Sequence, residues 1–281
     1  DNKVAIIVAA GEILDGSQPP GRVGGESLAR AIRDAREDDN IKAVVLRVDS
    51  PGGSVMASER IYRELLALQQ AGKPVVTSMS SVAASGGYYI AMGTDEIWAS
   101  PTTITGSIGV FATIPTFQNT LRKLGVTTDG VGTTDMAGAM SLERALSPKA
   151  RALIQTGVEH TYREFLARVA RNRDSSPEAV EPLAQGRVWP GVTAREHGLV
   201  DGIGDLAAAV GAASARANLG GDFKVMYLEP ELTWQEALGL KVRATLGRVA
   251  GMVGLARFLQ PPAAELVRRV ADPIEAELAR W

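Results

Sequence analysis

The chain has 281 residues, room for one large or two modest domains at ~100–200 residues per domain. Its 45% hydrophobic and 22% charged residues are ordinary globular composition and exclude a disordered or collagen-like chain. A net charge of −2 from 30 basic and 32 acidic residues leaves no electrostatic footprint for nucleic acid. The absence of cysteine excludes a disulfide scaffold, a thiol nucleophile and zinc-finger or iron–sulfur ligation. His160 and His197, the two histidines, leave almost no material for a metal site. No metal or cofactor is expected, and catalysis falls to Ser, Lys, Asp or Glu. The start Asp1-Asn2-Lys3-Val4 has no Met and no apolar stretch behind a basic segment, as expected of a processed product or a part of something longer.

In chain order, Val4–Val8 is a continuous apolar run, the pattern of a strand covered on both faces. Gly24–Asp38 follows with Leu28, Ala31, Ile32 and Ala35 at helical spacing. Ala43–Val48 reads as a second strand, ending in the turn Asp49-Ser50-Pro51-Gly52-Gly53, and a helix runs on to Ala71. Val75–Met79 is a third strand, Ser80–Gly87 a segment of small polar residues, and Tyr88–Met92 a short helix. Glu96–Ala99 is another strand. Between residues 74 and 121 the only charges are Asp95 and Glu96, but Ser, Thr, Gly, Pro101 and Pro115 interrupt the apolar runs. A buried core around a site is expected there, not the ~20 apolar residues of a spanning helix. Pro148–Asn172 is the clearest helix, with Ser147 as N-cap and Pro148 at its first position. Asp205–Asn218 is a further helix and Phe223–Leu228 a last strand. The alternation predicts an α/β domain over residues 1–230. A helical tail over 231–281 follows, in which apolar Val249–Leu255 is a packing or oligomer helix or a membrane-surface contact.

Two glycine-rich turns close successive predicted strands, the edge at which open α/β sheets form binding crevices. In Asp49–Ser54 the paired glycines let the backbone take positive φ and bring N–H groups close to a ligand. Such donors could hold a developing oxyanion, although a Pro-Gly-Gly sequence is also simply a turn. In Ala83-Ala84-Ser85-Gly86-Gly87-Tyr88 the small neighbours leave the Ser85 hydroxyl uncrowded. Ser85 is either a nucleophile or a plain N-cap. Together the two turns favour chemistry: Ser85 with the N–H groups of Gly53 and Gly86. A serine nucleophile needs a base. His160 and His197 read as structural or solvent-facing, which leaves a lysine made neutral by burial. None of Lys3, Lys42, Lys73, Lys123, Lys149, Lys224 or Lys241 stands out as that base.

The strings D-S-P-G-G-S (49–54), S-V-A-A-S-G-G-Y-Y-I (81–90), T-G-S-I-G-V (105–110), Q-G-R-V-W-P-G (185–191) and G-L-V-D-G-I-G-D (198–205) resemble the signal peptide peptidase A (protease IV) family. The resemblance runs in order over residues 1–230. It implies a Clp protease/crotonase-like fold of stacked β-β-α units, and a membrane-bound serine protease with a Ser–Lys dyad that degrades cleaved signal peptides. By position, Ser85 matches the nucleophile and Gly53 and Gly86 the oxyanion donors. The family's lysine segment here reads Val131-Gly132-Thr133-Thr134-Asp135, so Asp135 or a neighbour occupies the lysine position. That departure resembles the C-terminal, serine-bearing half of the long tandem form, whose lysine comes from the N-terminal half. The resemblance further implies peptide substrates, a homo-oligomer (a tetramer), a membrane anchor in an N-terminal part, and the periplasmic face of the bacterial inner membrane. Val82, Tyr88, Ile90 and Ile108 are expected as apolar walls for small or aliphatic substrate residues. Competing readings are a self-contained Ser–Lys protease using Lys149, a non-catalytic scaffold half of a ring, and an acyl-CoA-binding crotonase.

Overall fold

The computed structural model of the chain describes residues 2–134 and 136–228. Asp135, Lys241 and the expected tail over 231–281, with its Val249–Leu255 stretch, lie outside the described residues. The elements in order are β1 (Lys3–Ala10), β2 (Ile13–Leu14), β3 (Val23–Gly24), α1 (Gly25–Glu37), β4 (Ile41–Ser50), α2 (Val55–Gln70) and β5 (Val75–Ala84). Next come α3 (Gly86–Ala91), β6 (Glu96–Ala99), β7 (Ile104–Gly106), α4 (Gln118–Lys123), α5 (Pro148–Asn172) and α6 (Pro177–Val180). The last are β8 (Val188–Pro190), α7 (Gly191–Glu196), β9 (Gly202–Ile203), α8 (Leu206–Arg216) and β10 (Lys224–Tyr227).

The main sheet runs β10-β1-β4-β5-β6-β9, with every neighbour pair parallel. Strand side chains alternate faces, and both faces are apolar. Ala5, Ile7, Leu46 and Met79 join one core with α1, α2 and α3, whereas Val4, Ile6, Val45 and Val76 meet Leu206, Ala209, Val210 and Ala213 of α8. This explains why β1 and β4 read as continuous apolar runs. Ser54, Ser147 and Asp205 cap α2, α5 and α8 by accepting hydrogen bonds from Ala57, Ala150 and Ala208 N–H.

Two features depart from the pattern in the sequence. First, β5 does not stop at Met79 but continues through the small residues to Ala84, because its end acquires new partners. Val82, Ala83 and Ala84 pair with β7, and the Thr103 and Thr105 hydroxyls donate to Ser80 and Ala83 carbonyls at 2.7 and 2.6 Å. Pairing here overrides weak strand propensity. Second, α5, about 37 Å long at 1.5 Å per residue, is buried mainly at its C-terminal end, at Phe165, Leu166, Val169 and Ala170, with Ala150 near its start. Its first half and the preceding segment expose Phe111, Phe117, Leu124, Met140, Leu142 and Leu153, an apolar arm beside the sheet.

Candidate active site

The turn after β4 is built by its own polar residues. The β4–β5 register slips between Val48 and Ser50, and the Asp49 carboxylate takes up the slack by accepting from Val82 N–H at 3.0 Å. The fully buried Ser50 hydroxyl accepts from Gly52 N–H at 3.1 Å. Gly52 and Gly53 then adopt φ of 100° and 151°, values that side chains resist. Ile13 bridges this segment in parallel: its N–H donates to Gly52 O at 2.9 Å and its carbonyl accepts from Ser54 N–H at 2.7 Å. In a parallel bridge of that register the Gly53 N–H turns to the opposite side. There it meets the second turn: a Cβ placed on Gly86 would stand 3.1 Å from the Gly53 nitrogen.

Ser85 sits at the junction of β5 and α3 with φ 53° and ψ −118°. These are the angles of the first central residue of a type II′ turn, a position glycine usually takes, and for serine they cost of order 1–3 kcal/mol. The strain is held by two hydrogen bonds: Ser85 N–H donates to Gly106 O at 2.9 Å, and Ser85 O accepts from Tyr89 N–H at 2.8 Å. The hydroxyl makes no capping bond to the helix, and the residue is only half-buried. The plain N-cap reading therefore does not describe Ser85. Gly86 is the first residue of α3, where N–H groups lack an intrahelical acceptor. The two turns interlock: a Cβ on Gly52 would meet Gly86 N at 2.6 Å and Ser85 Cβ at 2.8 Å. Ser85 and the Gly53 and Gly86 amides are thus brought together, as the spacing of the motifs anticipates.

Two further motifs frame the serine. β7 and β8 pair antiparallel, so that Thr105 faces Trp189 and Gly106 faces Val188. Ser107 takes φ 49° with its N–H donating to Arg187 O at 2.7 Å, and Gly186 N–H returns to Ile108 O at 3.0 Å. The parts played by Asp49, Ser50, Thr105 and Ser107 were not anticipated from the sequence. Their signal is an unusual density of Ser, Thr and Gly at strand ends.

The expected apolar walls require correction. Tyr88, Ile90 and Ile108 are fully buried in the core, with Tyr88 donating to Leu199 O at 2.9 Å, and Val82 is half-buried. A helix placed directly after the serine turns Tyr88 and Ile90 inward. The open apolar side chains next to Gly53 are Val55 and Met56, the latter 73% exposed.

Four of the described lysines lie on the far side of the sheet from Ser85. Lys3, Lys42 and Lys224 lie at the beginnings of β1, β4 and β10, the sheet edge opposite Ser85. Lys73 precedes β5 by two residues, roughly 30 Å of strand from its far end. Burial lowers the Lys73 pKa, while Asp39 and Asp38 oppose that shift. Its ammonium donates to Ala35 O and Asp38 O at 2.9 and 2.7 Å. Lys123 and Lys149 are exposed on α4 and α5. His160 is exposed, and the His197 ring stands edge-on to Trp189 with centroids 4.5 Å apart.

A half-exposed, strained serine at a strand-to-helix turn, with two glycine amides beside it, is chemically suited to nucleophilic attack on a carbonyl whose oxyanion the amides could hold. Among solved structures the fold is similar to that of a ClpP1 mutant from Listeria monocytogenes, with a TM-score of 0.52 over 73% of this chain and 94% of that one, at 12% identity. The α/β fold is therefore Clp protease-like. Residues 67–220 match Peptidase family S49, and the chain belongs to that family. It is 50% identical over 216 residues to Protease 4 of Salmonella typhi and 46% identical over 217 residues to Protease 4 of Haemophilus influenzae. It is also 38% identical over 233 residues to the chloroplastic serine protease SPPA of Arabidopsis thaliana. These matches take in 77%, 77% and 81% of this chain, which spans about 35% of the length of the Protease 4 relatives and 34% of the Arabidopsis protein.

Proposed function

We propose that the chain is the serine-bearing portion of a Ser–Lys endopeptidase, with residues 1–230 forming the protease domain. Ser85 is the nucleophile, and the Gly53 and Gly86 N–H groups form the oxyanion hole. A neutral lysine amine takes the hydroxyl proton as Ser85 Oγ attacks the peptide carbonyl. The resulting ammonium then protonates the leaving amine, and water cleaves the acyl-serine to restore the hydroxyl. The substrates are peptides of signal-peptide character, and the setting is the periplasmic face of the inner membrane. Among the described residues no helix is long and apolar enough to cross a membrane.

The observation that carries this reading is the strained Ser85 beside two turned-in glycine amides. The source of the base rests on the lysines: those described lie on the opposite sheet edge or on exposed helices. We assign the base to a second domain of the same family. The apolar arm around Phe111, Phe117, Met140 and Leu153 is a surface suited to such a neighbour and to a homo-oligomer, a tetramer by resemblance. The test is phosphonylation of Ser85 Oγ by a fluorophosphonate, with loss of fluoride, located by mass spectrometry. Modification confined to Ser85 and absent from Ser85→Ala supports the assignment, and modification elsewhere at equal rate refutes it.

A further inference from the structure

Helix α3 has six residues, too few to hold its own orientation, yet it carries Gly86 at its first position. Two consecutive tyrosines anchor it. Tyr88 reaches Leu199 O, in a loop gripped by Arg173, which donates to Asp201 at 2.6 and 3.1 Å and to Gly198 O at 2.8 Å. Tyr89 reaches the other way and donates to Glu59 Oε2 at 2.7 Å. Glu59 lies on α2, six residues after Gly53, so one carboxylate joins the elements that follow the two amides.

That carboxylate is held from three sides. Arg63 Nε donates to Oε1 at 2.6 Å, and Arg168 of α5 stands 3.1 Å from the same oxygen. The Arg168 guanidinium also lies 5.5 and 5.9 Å from the Tyr62 and Tyr89 ring centres, within cation–π range. Tyr89 packs edge-on to Tyr62 and tilted on Phe165 at 5.7 and 4.9 Å. Tyr62 accepts from Asn172 Nδ2 at 3.0 Å. Burial opposes the charge on Glu59, but the Tyr89 and Arg63 hydrogen bonds and Arg168 outweigh it and hold the carboxyl below its usual range.

We propose that Glu59 and Arg168, acting through Tyr89, are positioning residues that fix the separation of the Gly53 and Gly86 N–H groups. The proposal rests on the reading of those groups as an oxyanion hole.

The test is the time course of Ser85 labelling by a fluorophosphonate, with the lysine-bearing domain supplied. The variants are Glu59→Gln, Tyr89→Phe and their double, with Glu64→Gln, whose carboxylate meets Arg33 and Arg36 instead, as control. Each single change is expected to lower the limiting labelling rate about tenfold, in line with small misplacements of reacting groups. The half-saturating probe concentration and the fraction finally labelled stay within about twofold, and the double variant is no slower than either single. A merely structural role lowers the fraction labelled and not the rate, so unchanged rates overturn the proposal. Amide exchange provides a readout independent of activity. Exchange over Gly86–Ala91 is expected to rise about tenfold in Glu59→Gln while α8 is unaffected, and unaltered exchange overturns the proposal. Failure of the wild type to label at all refutes the peptidase reading instead, and the exchange result then decides this one.

Discussion

Ser85 stands where a glycine would be easier, with φ 53°, and its hydroxyl is kept out of the helix cap. Ser85→Ala is therefore expected to abolish acylation while leaving the fold intact, as checked by labelling and circular dichroism. The turn opposite is less forgiving. A Cβ on Gly52 meets Gly86 N and Ala84 O at 2.6 and 2.9 Å, on a backbone at φ 100°. Gly52→Ala is expected to lower unfolding free energy in urea by about 1–3 kcal/mol and to slow acylation by ~10²-fold through displacement of an oxyanion donor. The serine and the paired glycines were legible from residue type alone, since strand, Gly-Gly and an uncrowded Ser are local signals. Asp49 and Thr105 were not, because their hydrogen-bond partners lie on other strands. Tyr88 and Ile90 were misplaced as cleft walls, because the facing of a short helix depends on the core it meets.

Among the elements, the long helices and buried strands matched their sequence patterns closely, and α5 spans Pro148–Asn172 as its cap and periodicity require. The two- and three-residue strands β7, β8 and β9 carry no period to read and form only through pairing. β5 outran its apolar run for the same reason. The C-terminal end of α5 acts as a clamp at this scale. Arg173→Ala leaves the Asp201 carboxylate without its bidentate partner and is expected to cost about 1–3 kcal/mol in urea unfolding. The Glu59 pair has a pH signature. Its carboxyl is held below the ordinary value, so its contribution to stability is complete above the unfolded-state pKa of about 4.3 and is lost as pH falls through the folded-state value. The stability gap between wild type and Glu59→Gln is therefore expected to be constant from pH 7 to 5 and to close below that in acid titrations monitored by urea unfolding. A gap independent of pH down to 3 contradicts a charged Glu59.

For the whole molecule, the parallel sheet separates two kinds of edge. The serine and glycine amides lie at the strand C-termini, and Lys3, Lys42, Lys73 and Lys224 at or before the N-termini. Sequence alone showed that no lysine stood out, and only the topology explains why: strand direction carries four of them to the wrong side. Lys149→Met is accordingly expected to leave the rate of Ser85 acylation within about twofold, since Lys149 is exposed at the start of α5. Under the proposed function, the exposed apolar side chains of Phe111, Phe117, Met140 and Leu153 are the surface assigned to the domain that brings the base. The most direct test of this account measures Ser85 acylation by an activated serine inhibitor, by mass spectrometry, on this chain alone and again with a lysine-bearing domain of the same family added. Labelling of Ser85 that accelerates at least tenfold on that addition, and vanishes in Ser85→Ala, is the predicted result. Equally fast labelling of the chain alone would contradict a base supplied from outside it.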